Sequence, residues 1–469
     1  MSDLDLLIIG SGSGNSILTP EYEGLRVGMV ERWTWGGTCL NRGCIPSKML
    51  VLPADRVVEA EESAQIGVDL GLVGVDWPAI RDRIFGRIDP IAESGRKYRV
   101  GQDHVEVFEG DARFTGPKSV KVNGDEISAE RIVLAAGARP TIPDIPGLAD
   151  TPYETSDTVM RIDALPERVV IIGGGFIAAE LGHVFSGLGS QVSIVHRGHQ
   201  MLRHEDVDIS QRFTEEFARR VDLHLDANVT RVHHSDGEFT VEIRCPHDCD
   251  LKVEPESGGL VTETLRADLL LVTTGRTSNA RELGVEDAGV RLDDDGYVVT
   301  DEYLRTTAPD IWALGDIRNP LQLKHLANAE ARVMSHNLLH PYDLRMVDER
   351  VVPHAVFSHP QVGSVGVREV DVQASGAPYV VGRYDYAGTA YGWALDDVTS
   401  FAKVIVDPQS LQLLGGHVIG PQAATLLQQL VQAMAFQIPV DRLARGQLWT
   451  HPGLAEVLEN ALLDALRKV

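Results

Sequence analysis

The chain has 469 residues, too many for one ordinary hydrophobic core, and at roughly 150 residues per domain it implies about three. With 43% hydrophobic and 24% charged residues it has a globular composition, and no run of ~18 apolar residues offers a membrane-spanning helix. A formal charge of −25 excludes nucleic acid and anionic membrane as expected partners, and the acidic start Met1-Ser2-Asp3-Leu4-Asp5 lacks the basic region of an export signal, which makes the cytosol the expected compartment.

The first element is a strand, Asp5-Leu6-Leu7-Ile8-Ile9, ending in Gly10-Ser11-Gly12-Ser13-Gly14-Asn15. A helix and a second strand, Val27-Gly28-Met29-Val30-Glu31, are expected next. That order sets a dinucleotide pyrophosphate on a helix N-terminus and a ribose hydroxyl on Glu31. The third glycine position holds Asn15, and Gly14 lies one residue early.

Gly36-Gly37-Thr38-Cys39-Leu40-Asn41-Arg42-Gly43-Cys44-Ile45-Pro46-Ser47-Lys48 places two cysteines five positions apart in a glycine-rich approach to a helix. On a regular helix such residues are displaced by roughly 7.5 Å along the axis, whereas a disulfide wants Cα atoms about 4.4–6.8 Å apart. A bridge would therefore bend its helix. Gly43 can relax the backbone, and Pro46 suits the first turn of a resumed helix. A short, strained loop of this kind is a poor staple and a readily reduced redox pair.

Residues 50–100 read as long helices interrupted by Phe85-Gly86-Arg87-Ile88-Asp89-Pro90-Ile91. Strands are predicted over 105–108, 119–122 and 131–134, and the linker Pro143-Asp144-Ile145-Pro146-Gly147 marks a boundary near 150. The strand-glycine-helix signature then starts again at 168–180, with Gly173, Gly174 and Gly175 in the turn. The strand over 191–195 closes on His196-Arg197, with Arg203 six residues further and no acid between Val192 and Gln200. An acid at that point prefers a free ribose 2′-hydroxyl, and arginines prefer a 2′-phosphate, so the first unit suits FAD and the second NADPH.

The insertion Arg244-Cys245-Pro246-His247-Asp248-Cys249 reads as a polar hairpin tip, and the spacing of the four cysteines disfavours zinc, so no metal site is expected. Residues 267–276 form a buried strand closing on Gly275. Residues 307–316 deliver Asp316 at a glycine turn, where it either accepts hydrogen bonds from a ribityl chain or caps a helix beginning near Leu326. From about 345 the pattern turns antiparallel, followed by amphipathic helices at 423–437 and 454–467. Between those helices His451 and Glu456 form a candidate acid–base pair, in which the carboxylate orients the imidazole; an exposed histidine before a helix is the plainer alternative.

Taken together, GGTCLNRGCIPSK, two nucleotide folds, TxxxxIWALGD and the terminal HPxxxE resemble the flavoprotein pyridine nucleotide-disulfide oxidoreductases over the whole chain. The resemblance implies an α/β protein with two Rossmann-like dinucleotide-binding domains plus a C-terminal α+β dimerisation domain. Its expected segments are 1–150 (FAD, first segment), 151–280 (NADPH), 281–344 (FAD, second segment) and 345–469 (dimerisation). It further implies that Cys39 attacks the substrate disulfide and Cys44 lies against the flavin, that Lys48 sits near the flavin with Glu180 as its ion-pair partner, and that His451 and Glu456 come from the second subunit of a homodimer. Expected FAD contacts are Gly10, Gly12, Gly14, Glu31, Gly37, Thr38, Lys48, Gly137 and Asp316. Expected NADPH contacts are Gly173, Gly175, Phe176, Ala178, Glu180, Arg197, Arg203 and Gly275. Arg87, Asp89, Tyr391 and Trp393 are candidates by likeness for contact with a small-molecule disulfide. Dihydrolipoyl dehydrogenase and glutathione reductase share the redox motif, but the former expects an acid where this chain has Arg197. The non-enzymatic alternative, a flavin-bearing dimeric binding protein, is opposed by the intact Cys39, Cys44 and His451.

Overall fold

Strand β1 (Leu4–Ile9) is apolar except for Asp5 near its start, and its run Leu6–Ile9 is buried because both of its faces are covered, as in the parallel core of an α/β sheet. Leu7 and Ile9 pack one side with Phe114, Ile132 and Ile311, whereas Leu6 and Ile8 pack the other with Tyr22, Met29 and Met334. A computed structural model describes residues 4–246 and 260–469. Around β1 it sets β2 (Val27–Glu31), then helices α1 (Gly37–Arg42), α2 (Cys44–Glu62) and α3 (Trp77–Val100), then β3 (Val105–Glu109), β4 (Ala112–Gly116), β5 (Ser119–Val122) and β6 (Asp125–Leu134). The sheet order is β3-β2-β1-β6-β5-β4. The pairs from β3 to β6 are parallel, the last two antiparallel, and strand Ile311–Ala313 returns from far along the chain to lie parallel to β6.

Two sequence expectations fail here. No α-helix joins β1 to β2; two single-turn 3₁₀ segments, Gly14–Ser16 and Pro20–Tyr22, span the connection. Asn15 and Ser16 are weak helix formers, and Thr19, held extended before Pro20, stops any turn from propagating. The buried Arg99 of α3 satisfies carbonyls that a helix would have used: its guanidinium donates to Asn15 Oδ1 at 2.6 Å, to Asn15 O at 2.8 Å and to Leu18 O at 3.4 Å. Nor does the 85–91 segment interrupt its helix. α3 runs straight through Gly86 and Pro90, because Ile84, Phe85, Ile88 and Ala92 bury one continuous stripe whose packing outweighs the local breakers.

The second unit repeats the architecture with strand Arg168–Ile172, α4 (Phe176–Gly187), strand Gln191–Val195 and α5 (Val207–Phe217). Its parallel sheet also includes Asp222–His224, Leu269–Val272 and Glu154–Thr155. An antiparallel sheet of Asn228–Ser235, Glu238–Pro246 and Leu260–Ala267 follows. Cys245 lies within the second of these strands and is buried, so it is no hairpin tip; Cys249 lies outside the described residues. The chain leaves and re-enters the first unit through a paired ribbon, Ala138–Pro140 against Arg276–Ser278.

The C-terminal part is an antiparallel sheet in the order His354–Val356, Val362–Gly366, Leu413–Ile419, Phe401–Val406, Val380–Asp385, backed by helices Ala423–Ala435 and Glu456–Leu466. Among the described residues, no helix is long and apolar enough to cross a membrane.

Charge-assisted hydrogen bonds are worth about 1.5–3 kcal/mol each, and orphaned buried acceptors add to the loss. R99M is therefore expected to lower unfolding free energy by about 3 kcal/mol in urea denaturation, with the 14–26 connection the first segment cut by protease. An unchanged urea midpoint would remove the clamp from the account.

Candidate active site

The redox segment is built on a broken helix. Cys39 belongs to α1 and Cys44 opens α2; between them Gly43, at φ −143° and ψ −121°, takes the backbone out of the helical region. A Cβ on Gly43 would sit 3.0 Å from Thr38 O and 3.3 Å from the Cys39 Cα. The buried Asn41 ties the approach together by donating to Trp35 O at 2.8 Å and to Gly37 O at 3.0 Å. Both cysteines are free thiols, with Cys44 open to solvent and Cys39 partly covered.

Their titration is unequal. The hydrogen bond that Cys39 donates lowers the Cys44 thiol to about 7 against the opposing effect of burial, with Lys48 one turn into α2 lowering it further. The same bond, together with burial, pushes the Cys39 thiol far up. Lys48 Nζ lies 2.7 and 2.6 Å from the two oxygens of Glu180, a buried residue of α4 in the second nucleotide unit. Glu180 also accepts the Phe357 N–H at 3.0 Å, and the Phe357 ring stands 4.9 Å from the Lys48 ammonium.

These groups face a cleft of about 1500 Å³, larger than the roughly 300–1,000 Å³ of an ordinary small-ligand pocket. Gly10, Gly12, Glu31, Gly37, Thr38, Gly137 and Asp316 line it, as do Phe176 and Glu180 from α4; Gly14 packs beneath, against Ala135. Gly37 has φ +69°, and a Cβ there would lie 2.7 Å from the Gly12 Cα, so only glycine lets the two backbones close into one floor. Glu31 accepts from Ser11 N at 2.9 Å, Ser11 Oγ at 2.7 Å and Trp33 N at 2.9 Å. Asp316 has no ion pair among the described residues. Burial raises its carboxyl above the usual range, and it does not cap the following helix Lys324–Leu339, whose N-cap is Leu323. A side-chain-free floor, an acid at the end of β2 and an uncommitted carboxyl fit FAD.

Three contributors escaped the sequence reading. Lys324 lines the cleft and donates to Ser13 Oγ at 2.9 Å; Arg276 pairs with Asp157 at 2.9 Å and donates to the Ala138 carbonyl at 2.7 Å; Phe357 closes the Lys48–Glu180 pair. Lys324 had a signal: a cation in the first turn of a helix opposes the helix dipole and so asks for another reason to be there.

On the second turn, Gly173 has φ +134° and Gly275 +127°, Gly175 is the N-cap of α4, and Ala178 is fully buried two residues after the half-exposed Phe176. Arg197 and Arg203 are exposed, and neither forms an ion pair among the described residues. His451 does not line the cleft. Its Nδ1 lies 2.7 Å from Glu456 Oε1, while Glu456 Oε2 accepts the Gly453 N–H at 3.1 Å, and the imidazole is largely exposed. The hydrogen bond from His451 holds the Glu456 carboxyl below its usual range. Arg87 is exposed, Asp89 is paired with Arg161 at 2.7 Å, and Tyr391 and Trp393 are exposed away from the cleft.

This geometry coincides with what known proteins share. Residues 4–331 match the family model of pyridine nucleotide-disulphide oxidoreductases, and residues 352–462 match that family's dimerisation domain. The chain belongs to the pyridine nucleotide-disulphide oxidoreductase family. It is 44% identical to mycothione reductase of Mycobacterium tuberculosis, with 99% of both chains covered. It is 32% identical to glutathione reductase of Burkholderia cepacia, with 97% of both covered. Among solved structures, the HOCl-induced flavoprotein disulfide reductase RclA from Escherichia coli superimposes with a TM-score of 0.82 at 27% identity, covering 99% of this chain and 100% of that one. The protein is thus an FAD-dependent disulfide oxidoreductase that uses NADPH, acts on a small-molecule disulfide and assembles as a homodimer.

The inequality of the two thiols is testable by alkylation of the reduced, flavin-free protein across pH. In C39S the hydroxyl still donates, and the thiolate of Cys44 should be gained as pH rises through about 7. In C39A the donor is gone and the midpoint should move up toward the ordinary cysteine value of ~8.5. Identical midpoints in the two variants would show that the Cys39 donor does not set the Cys44 titration.

Proposed function

We propose that the protein reduces the disulfide of mycothiol through the Cys39–Cys44 pair, with each active site completed by His451 and Glu456 of the partner subunit, in the cytosol. The observation that carries the redox part is the Cys39 thiol donating to a depressed Cys44 thiol at the break between α1 and α2. The substrate rests on the 44% identity to mycothione reductase over nearly the full length of both chains. FAD is held by segments 1–150 and 281–344, NADPH by 151–280, and the dimer by 345–469. The exposed Arg197 and Arg203 supply the charge for a 2′-phosphate, which favours NADPH over NADH.

Bound FAD and NADPH supply the electron pair that opens the Cys39–Cys44 disulfide. Lys48, fixed by Glu180, keeps a positive charge beside that site. The Cys39 thiol loses its proton to His451 of the partner subunit and attacks one substrate sulfur. The same imidazole returns the proton to the departing thiolate. The Cys44 thiolate then attacks the Cys39 sulfur, restoring the intramolecular disulfide and releasing the second half of the substrate as a thiolate that takes its proton from water, so one substrate disulfide and one solvent proton yield two thiols and one protein disulfide. Glu456 holds Nδ1 of His451, which leaves Nε2 for the transfer.

NADPH consumption with mycothiol disulfide, glutathione disulfide and lipoamide side by side tests the substrate: mycothiol disulfide should have the highest kcat/KM, and preference for either of the others would overturn this assignment while leaving the redox pair standing. H451Q should lose about 10²–10⁴ of turnover. Mixed dimers of C39A and H451Q separate a shared site from a self-contained one. A shared site gives each heterodimer one intact centre, so activity returns on mixing two inactive homodimers; no recovery would place both residues in one subunit's site.

A further inference from the structure

The loop that carries Arg197 and Arg203 is anchored at its end on two sides. On one side, Leu202 adopts a left-handed conformation, φ +53°, unusual for a bulky buried residue. Its N–H donates to Gly174 O at 2.8 Å, and its carbonyl accepts from Ser210 Oγ at 2.7 Å and from Glu205 N at 2.8 Å. The turn is thereby pinned onto the glycine turn of the second nucleotide unit.

On the other side, the buried Glu205 reaches out of that unit to the C-terminal antiparallel sheet, where its carboxylate accepts from His354 Nε2 at 2.7 Å and from Ser364 Oγ. Burial alone would raise the Glu205 carboxyl, but these bonds outweigh it and hold it below its usual range. Asp206 continues the anchor: it caps α5 and pairs at 2.8 Å with the fully buried Lys403, which also contacts Asp208 and Glu369. Arg203 lies between these fixed points with no carboxylate partner, its guanidinium donating only to its neighbour His204 among the described residues.

We propose that the Glu205–His354–Ser364 contact determines selectivity for NADPH over NADH, His354 and Ser364 acting as positioning residues that hold the Arg203 turn over Gly174. This rests on Arg197 and Arg203 as the 2′-phosphate readers. Without His354, Glu205 keeps only the Ser364 hydroxyl as a side-chain partner and becomes an under-satisfied buried carboxylate two residues from Arg203, which gains solvation by swinging from the sheet toward solvent. The turn loosens and a negative charge arrives beside the arginine. Both changes act against a dianionic 2′-phosphate, and neither acts against a 2′-hydroxyl.

The test uses the FAD-loaded dimer and follows anaerobic bleaching of its flavin by NADPH and by NADH, together with the Kd of NADP⁺ and NAD⁺, in H354Q, S364A and R203Q. In H354Q the half-saturating NADPH concentration and the NADP⁺ Kd should rise about tenfold or more, with the NADH values and the limiting bleaching rate within about twofold of the parent. S364A should move the same way by a smaller factor, and it decides the matter if H354Q does not fold. Equal shifts for both nucleotides, or none, in H354Q and S364A while R203Q loses selectivity would overturn the inference alone. Unaltered selectivity in R203Q would overturn the 2′-phosphate reading and the inference with it.

Discussion

Two sulfur atoms five residues apart have to meet, and a regular helix keeps them roughly 7.5 Å apart along its axis. The chain meets that constraint by ending α1 and starting α2 within one residue, at Gly43, where a side chain would crowd the Thr38 carbonyl. The restart has a chemical consequence. Cys44 becomes the first residue of a 19-residue helix, where unpaired N–H groups favour a thiolate, and Lys48 falls one turn further on the same helix. One break in the backbone therefore sets both the distance between the thiols and the difference in their acidity.

The rest of the cleft depends on keeping α2 in register with the second nucleotide unit. That is done by contact along α4. Gly187 packs so closely on Ala54 that an added Cβ would sit 3.0 Å from the alanine's, His183 Nε2 lies 2.7 Å from Asp55 Oδ1, and Lys48 ends on Glu180. Glu180 and Phe176 are four residues apart on α4 and so share a face. The helix that begins at the second glycine turn thus presents an aromatic ring and a carboxylate to the same cleft as the thiols. A cation held by a buried carboxylate has little freedom to wander, and it keeps a positive field at Cys44 without closing over it.

Much of this was legible because it is local. β1 with its glycine turn, the repeat at 168–180, the spacing of the cysteines and the pairing of His451 with Glu456 all lie within short windows whose chemistry is one-sided. What was missed is tertiary. α3 survives Gly86 and Pro90 because its buried stripe spans them, and the first crossover gives up its helix because Arg99, more than eighty residues away, offers the carbonyls another partner. Cys245 looked like the tip of a polar loop until its strand was seen paired on both edges. Lys324 and Phe357 reach the cleft only when the chain returns after three hundred residues. No window on the sequence contains such information.

The acid–base pair raises a different point, because its local geometry is complete while its surroundings are not. Glu456 is oriented by the Gly453 N–H and in turn fixes the imidazole, yet the ring stands largely in solvent outside the cleft that holds the thiols. Leu448, three residues earlier, is fully exposed, and Phe436 at the end of the preceding long helix is three-quarters exposed. An imidazole needs its tautomer set before it can move protons in one direction, and the chain spends a carboxylate and a backbone donor on setting it. Exposed apolar side chains of this kind on the C-terminal part are the expected face of a surface that is covered when the homodimer assembles.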